Sequence, residues 1–153
     1  MSEDCLNIDR LVEAMYECMS FEANRMPDYE RFRGLFCPGA NLFPPSDDEI
    51  GVSAVSVEEF IETSQATLQR SQQVAESGFT EMELHRVTQR FESVVQLFST
   101  YESRVVLDEE VHTSRGVNAL QLIWQSQRWW ILSLAWDDET PDKQVPLKYL
   151  PQR

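Results

Sequence analysis

The spacing of apolar residues changes once along the chain, from a helical period to a period of two. Apolar positions recur every three to four residues in the first half, and from Phe79 onward they alternate with polar ones. A first helix is predicted from Asp9 to Ser20, with Leu11 and Met15 on its buried stripe. A short second helix is predicted from Pro27, a favoured first-turn residue, to Gly34.

The third predicted helix has the clearest start signal. It follows a stretch rich in proline and acidic residues, 37–56, which is predicted to be a loop with one short strand at Asn41–Phe43. Ser56 followed by Glu59 forms a capping box, and the helix should run to about Val74. Its apolar face is narrow, which suits a helix that lies over a partly open cavity.

The alternating half of the chain predicts a curved antiparallel meander. Four long strands with short connections are predicted at Phe79–Phe91, Val94–Val106, Val111–Gln125 and Arg128–Asp137. In the first strand the apolar residues change from one alternating set of positions to the other, which predicts a β-bulge near His85 or Arg86. Helices followed by a bent sheet indicate a single α+β domain over residues 1–153. The tail from residue 141 contains three prolines and should pack as an extended strap.

Composition and charge narrow the function. The net charge of −13 is concentrated in residues 1–62 and argues against nucleic acid or anionic lipid as a partner. No apolar run approaches the length of a membrane helix, and the N-terminus is acidic where a signal peptide would be basic, so we expect a cytoplasmic protein. The three cysteines and two histidines show no metal-ligand spacing, and no cofactor motif occurs. We therefore expect neither metal nor cofactor, and we expect Cys18 to be a small buried apolar residue.

Three stretches carry a resemblance to a known family. They are Ser-Thr-Tyr-Glu-Ser-Arg at 99–104, Arg-Gly-Val-Asn-Ala-Leu-Gln-Leu at 115–122, and Arg-Trp-Trp-Ile-Leu-Ser-Leu-Ala-Trp-Asp-Asp-Glu at 128–139. With the order of elements, they resemble a bacterial branch of the nuclear transport factor 2-like (SnoaL-like) superfamily. The resemblance implies a cone-shaped, cystatin-like α+β roll, in which helices pack on a strongly curved antiparallel sheet. Members of that superfamily include isomerases, dehydratases, cyclases, hydrolases and protein-binding dimers, so no catalytic residue is implied. Glu92 and Ser126-Gln127 stand in tight turns where the family would favour glycine or asparagine.

The faces of the last two strands follow from a two-residue hairpin loop at Ser126-Gln127, because residues equally distant from the loop pair with each other. The predicted pairs are Trp124–Trp129, Leu122–Ile131, Leu120–Ser133 and Asn118–Ala135. The opposite face would be almost purely apolar, with Val117, Ala119, Ile123, Trp130, Leu132, Leu134 and Trp136 beside the single polar residue Gln121. Helices can cover only one face, so a homodimer through this second face is predicted. The alternative is that the C-terminal strap covers Trp130 and Trp136.

The face beneath the helices is predicted to hold a ligand cavity. Its candidate ligand-binding residues are Ser99, Tyr101, Asn118, Trp129 and Ser133. The alternative is that Tyr101 completes a core hydrogen-bond network and binds nothing.

Three functions stay open on the sequence. The first is a small-molecule-binding domain of unassigned role. The second is a cofactor-independent isomerase or lyase acting on a small hydrophobic substrate, and the third is a dimeric protein-interaction module. A buried carboxylate or histidine within reach of Tyr101 would favour the enzyme. Of the candidates for such a group, His85 and His112 are expected at the surface and Asp137 in solvent.

Overall fold

The computed structural model describes residues 3–46, 49 and 51–152 of the chain. Its helices are α1 (Ile8–Met19), α2 (Tyr29–Arg33), α3 (Val57–Arg70) and α4 (Gln72–Ser77). Its strands are β1 (Phe36–Phe43), β2 (Val55–Ser56), β3 (Phe79–Phe91), β4 (Val94–Leu107), β5 (Glu110–Gln125) and β6 (Arg128–Asp138). In this part of the chain the strands form one mixed sheet of order β2-β1-β6-β5-β4-β3. Helices followed by this sheet confirm the predicted α+β class.

The helix starts are set by side-chain caps. Asn7 accepts a hydrogen bond from the Arg10 amide at 2.8 Å, so α1 begins one residue before the predicted start. Asp28 caps α2 in the same way, so that helix starts after Pro27. Ser56 accepts from the Glu59 amide at 3.1 Å, which confirms the predicted cap of α3.

The predicted third helix is two helices in the structure. Helix α3 ends at Arg70, and Ser71 leaves helical geometry with φ −111° and ψ 80° before α4 begins. The prediction of one helix to Val74 was therefore wrong. Helix α4 ends at Gly78, whose φ of +82° is a conformation that glycine adopts at little cost.

Strand β1 was only partly predicted. Its last three residues match the predicted strand, but it begins at Phe36 and runs parallel to β6, so the sheet is mixed. Pro38 and Gly39 suggested a loop, and the pairing between β1 and β6 does shift between Phe36 and Asn41. Strand β2 pairs only with the end of β1, at Asn41 and Leu42. Proline is thus tolerated here, where the ladder is irregular.

The curvature of the long strands comes from two register shifts. The first lies between Glu83 and His85 in β3, which confirms the predicted bulge to within one residue. The second lies in the β5–β6 pair, where Gln121 faces Ser133 but Leu122 faces Ile131, leaving Leu132 as the extra residue. The sequence gives no clear parity signal at Leu132, because apolar residues occupy both parities around it from Trp129 to Trp136, with Ser133 as the one polar exception.

The second shift corrects part of the predicted β5–β6 register. The pairs Trp124–Trp129 and Leu122–Ile131 are confirmed, but Leu120 faces Leu134 and Asn118 faces Trp136. A slip of one residue exchanges the two faces of a strand. Ser133 therefore lies on the outer face beside Gln121, while Leu134 and Trp136 join the face beneath the helices.

The outer face of the sheet consequently carries fewer apolar residues than predicted, and more polar ones. Among the predicted interface residues, Leu134 is buried, and Trp136 meets the Phe60 ring edge-on at 5.7 Å beneath the helices. The C-terminal segment crosses the outer face and packs the Tyr149 ring on Phe98, with ring centroids 4.8 Å apart. The strap therefore contacts Phe98, which stays 37% exposed, and Trp136 lies on the other side of the sheet.

Side-chain exposure corrects one prediction about histidine. His85 is half-buried, and its Nδ1 atom is buried with no hydrogen-bond partner among the described residues, so its expected place at the surface was wrong. His112 and Asp137 are exposed, as predicted, and Cys18 is buried in the core. Within the described ranges, every helix is too short or too polar to span a bilayer.

Candidate functional site

A cavity of about 360 Å³ lies between the helices and the inner face of the sheet. Its apolar wall consists of Met15, Met19, Phe32, Phe60, Phe79, Leu134 and Trp136. Its polar wall consists of Glu81, Tyr101, Ser103, Ser114, Asn118 and Asp138. The volume and this composition are those of a small-molecule site, in which a mostly apolar surface carries a few convergent polar groups.

The Tyr101 hydroxyl forms the central polar contact of the cavity. Tyr101 is buried on β4, and its Oη donates a hydrogen bond to the Asp138 carboxylate on β6. Gly116 lies between them on β5, and a Cβ there would stand 2.3 Å from the Tyr101 oxygen. Burial, and then the hydrogen bond to Asp138, raise the pKa of Tyr101. The tyrosine is therefore a neutral donor at physiological pH.

Glu81 places a second carboxyl group in the same cavity. It lies on β3, where the Ser20 hydroxyl at the end of α1 accepts a hydrogen bond from the Glu81 amide at 2.9 Å. Burial raises the pKa of the Glu81 carboxyl to about 7, and the neighbouring Asp138 charge adds to the shift. Its side chain makes no hydrogen bond or ion pair to the described residues. Glu81 can thus exist in either protonation state near neutral pH.

A chain of hydrogen bonds fixes the orientation of Asn118. The Asn118 amide nitrogen donates to Tyr16 Oη at 3.0 Å, and Tyr16 Oη lies 2.7 Å from Ser99 Oγ. Ser99 Oγ donates in turn to Glu83 at 2.5 Å, and Arg86 pairs with Glu83 at 2.8 Å. One of the two Asn118 side-chain N–H groups is therefore engaged, and the hydrogen bonds between described residues leave its carbonyl oxygen available to the cavity.

The structure separates the five predicted ligand-binding residues. Tyr101 and Asn118 line the cavity, and Ser99 is joined to Asn118 by two hydrogen bonds through Tyr16. Trp129 lines a different groove, together with Trp124 and the start of α1. Ser133 is on the outer face because of the register shift at Leu132.

Sequence reasoning missed both cavity carboxyl groups. Asp138 was passed over in favour of its neighbour Asp137, because the one-residue slip in β6 exchanges which of the two faces inward. Glu81 shares strand parity with Phe79 on β3, and both line the cavity. That apolar partner on the same face was the available signal that Glu81 points inward.

No group of three or more His, Cys, Asp or Glu side chains that could hold a metal ion occurs in residues 3–46, 49 and 51–152.

No protein-family model and no protein of curated function matches the sequence. Solved structures do match the fold. An NTF-2-like protein of unknown function from Silicibacter pomeroyi superposes with a TM-score of 0.56 at 14% identity, over 86% of this chain and 92% of that one. The chain has the nuclear transport factor 2-like fold. The expected family resemblance therefore holds at the level of fold.

Two further solved structures share this fold. The beta subunit of benzoate 1,2-dioxygenase from Burkholderia mallei superposes with a TM-score of 0.65 at 10% identity, over 98% of this chain and all of that one. A candidate ketosteroid isomerase from Shewanella frigidimarina superposes at 0.59 with 13% identity, over 83% and 91% of the two chains. At these identities only the fold is shared, and a fold alone does not specify a function.

Proposed function

We propose that this chain is a small-molecule-binding domain, and that its ligand occupies the cavity between the helices and the sheet. The observation that carries the proposal is the combination of an apolar wall with two carboxyl groups, Glu81 and Asp138, in one cavity. Glu81 is partly buried and has no basic partner among the described residues, and such a group is costly to keep ionised in a folded protein. It is therefore more readily explained by a ligand than by stability.

Thermal-shift screening against small apolar metabolites tests the proposal. A ligand at 100 times its dissociation constant stabilises the folded state by about 2.7 kcal/mol. Met19 lines the cavity, so Met19→Trp should fill it and abolish the shift. Met26→Trp is the matched control, because Met26 is 56% exposed and outside the cavity. If a ligand raises the melting temperature of Met19→Trp as much as that of the wild type, the ligand binds elsewhere.

A second candidate function, a cofactor-independent isomerase or lyase, is supported by the acid–base groups of the same cavity. A carboxyl group with a pKa near the operating pH is suited to taking and returning a proton. Glu81 meets this condition, and Tyr101 and Asp138 form a hydrogen-bonded pair in the same cavity. A buried carboxylate or histidine within reach of Tyr101 is the feature that the sequence alone identified as favouring an enzyme; Glu81 is partly buried, whereas Asp138 is exposed.

Deuterium exchange distinguishes catalysis from binding. Small apolar ketones would be incubated with the protein in D₂O, and incorporation at the carbon next to the carbonyl would be followed by NMR. An isomerase should catalyse the exchange, and Glu81→Gln should slow it about 100-fold or more. Glu110→Gln, an exposed position on β5, should leave it unchanged. Exchange that is equally fast in Glu81→Gln would exclude Glu81 as the base.

The outer face of the sheet supports a proposed homodimer. Val87 faces Phe98 and Val94 faces Ile123 across neighbouring strands. Val87, Val94 and Phe98 are 38%, 56% and 37% exposed. An exposed apolar row on a sheet suits an isologous interface with a second copy.

Light scattering tests the dimer. The wild type should have twice the monomer mass of 17.8 kDa at micromolar concentration. Ile123→Glu should give the monomer, because its carboxylate would be desolvated without a partner. Val52→Glu is the control, at a position 88% exposed in a loop. A monomeric wild type would contradict the proposal.

A further inference from the structure

The charged groups of the cavity are all of one sign. Its described wall contains the carboxyl groups of Glu81 and Asp138 and no lysine, arginine or histidine. The nearby cations are engaged outside it, since Arg86 pairs with Glu83 and Asp9 and Arg115 pairs with Glu139. A ligand that enters this cavity meets negative charge without a compensating protein cation.

The hydrogen-bond donors of the polar wall are largely occupied. Tyr101 donates to Asp138, the Asn118 side-chain nitrogen donates to Tyr16, and the Ser103 hydroxyl donates to the Ser114 backbone carbonyl at 3.3 Å. The hydrogen bonds between described residues leave free the Asn118 carbonyl oxygen, one Asn118 side-chain N–H, the second Asp138 oxygen and both Glu81 oxygens. Apart from that N–H and the Ser114 hydroxyl, which can donate or accept, these remaining groups are acceptors when Glu81 is ionised. They match a ligand that brings donors.

The apolar wall is rich in aromatic rings. Phe60 lies between Phe32 and Trp136, with ring centroids 5.5 Å and 5.7 Å away. Ring faces attract cations, and the attraction grows when water is excluded. Met15 and Met19 add flexible side chains that adapt to the shape of an apolar group.

From this arrangement, and resting on the proposed function of the cavity, we infer that the ligand is a small amine in its protonated form with an apolar body. The ammonium group would lie between Glu81 and Asp138 and donate to them and to the Asn118 carbonyl oxygen. The apolar body would lie against the Phe60 and Trp136 rings.

Binding of an ammonium ion should release the proton from Glu81. Burial and the Asp138 charge hold the Glu81 pKa at about 7, and a cation beside it would lower that pKa. Affinity for an amine should therefore rise from pH 6 to pH 8. A ketone or alcohol that accepts a hydrogen bond from protonated Glu81 should show the reverse dependence. The other charged groups near Glu81 lie in a separate groove between α1 and β3. They are Asp9, Glu13, Glu17, Glu83 and Arg86.

Isothermal titration calorimetry with matched ligands tests the inference. The probes are 2-phenylethylamine, other arylalkyl and cycloalkyl amines, and the alcohol counterpart of each. We expect the best amine to bind at least about tenfold more tightly than its alcohol, because charge-assisted hydrogen bonds are the stronger ones. Asp138→Asn keeps an acceptor for Tyr101 and should lower the amine affinity about tenfold or more. The exposed Asp142→Asn is the control and should leave it unchanged.

The outcomes separate the inference from the proposed function. Alcohols that bind as tightly as the amines, or an amine affinity that falls from pH 6 to pH 8, would overturn the inference and leave a binding cavity in place. The pH comparison uses the wild-type protein, so it stands even if a variant fails to fold. No binding by any amine or alcohol would overturn the inference and count against the proposed function as well.

Discussion

At the scale of single residues, the closest packing in the candidate site is between Gly116 and Tyr101. The site depends on the absence of a side chain at Gly116, since a Cβ there would also stand 2.4 Å from the Asp137 carbonyl oxygen. Backbone cannot move aside as a flexible side chain can. Any residue larger than glycine must therefore push Tyr101 away from Asp138 or separate β5 from β6.

Gly116→Ala should destabilise the protein by about 2 kcal/mol or more, through strain and through loss of the Tyr101–Asp138 hydrogen bond. Chemical denaturation measures the change in the free energy of unfolding. Gly34→Ala is the matched control, because a Cβ at Gly34 finds no atom closer than 3.5 Å and its backbone is helical. Equal effects of the two substitutions would show that Gly116 is not packed as described.

The sequence identified part of the candidate site. Tyr101 and Asn118 were placed correctly on the inner face, because they lie on β4 and on the part of β5 whose parity is uninterrupted. Ser133 was misplaced and Asp138 missed for one reason, the extra residue Leu132 in β6. A bulge in a stretch where both parities are apolar leaves no clear mark in the pattern, so only the folded register reveals it.

At the scale of elements, the start of α3 was predicted from its cap, whereas the side-chain caps Asn7 and Asp28 place α1 and α2 one and two residues away from their predicted starts. Ser56 binds the Glu59 amide at the start of α3, whereas Ser71, which precedes α4, forms no such bond. Two serines in equivalent positions therefore differ in what they contribute to stability.

Ser56→Ala should lower the free energy of unfolding by about 1 kcal/mol, the usual contribution of a helix cap. Ser71→Ala should lower it by less than about 0.5 kcal/mol, because no cap is lost. Urea unfolding followed by circular dichroism measures both. A larger loss for Ser71→Ala than for Ser56→Ala would contradict the capping assignment.

The four long strands were predictable at the level of elements, and β1 was not. Strands β3 to β6 alternate over ten or more residues, so their bounds came within one residue. Strand β1 pairs with β6, which lies about ninety residues further along the chain, and it contains Pro38 and Gly39. The strand depends on pairing with a distant part of the chain, and proline and glycine have a low preference for strands, so the local sequence did not predict it.

At the scale of the whole molecule, Glu81 should make stability depend on pH. Its pKa is about 7 in the folded protein and about 4.5 in an unfolded chain. The folded state therefore holds this proton more tightly. The resulting contribution of Glu81 to the free energy of unfolding is fully present below pH 4.5. It is lost as the pH rises from about 4.5 through 7, to a total of about 3 kcal/mol.

Glu81→Gln should remove this dependence and should be more stable than the wild type at pH 8. The free energy of unfolding would be measured in urea at pH 5 and pH 8 for the wild type and for Glu81→Gln. Glu110→Gln, on the exposed end of β5, should keep the wild-type dependence. If the free energy of unfolding of the wild type rises from pH 8 to pH 5 by no more than that of Glu81→Gln, Glu81 is ionised in the folded protein.

The central claim is that the cavity beneath the helices is where a small molecule binds. The four tryptophans report on it, because each gives one indole N–H signal and their surroundings differ. Trp136 lines the cavity, Trp124 and Trp129 line the groove at the far end, and Trp130 stacks beneath Arg128 at 3.6 Å.

Titration of the ¹⁵N-labelled protein with 2-phenylethylamine and 2-phenylethanol, with the signals assigned by single Trp→Phe variants, locates binding directly. A ligand in the cavity should shift the Trp136 indole signal saturably and leave the Trp130 signal in place. Saturable shifts confined to Trp124, Trp129 or Trp130, or no saturable shift with either compound, would contradict the claim.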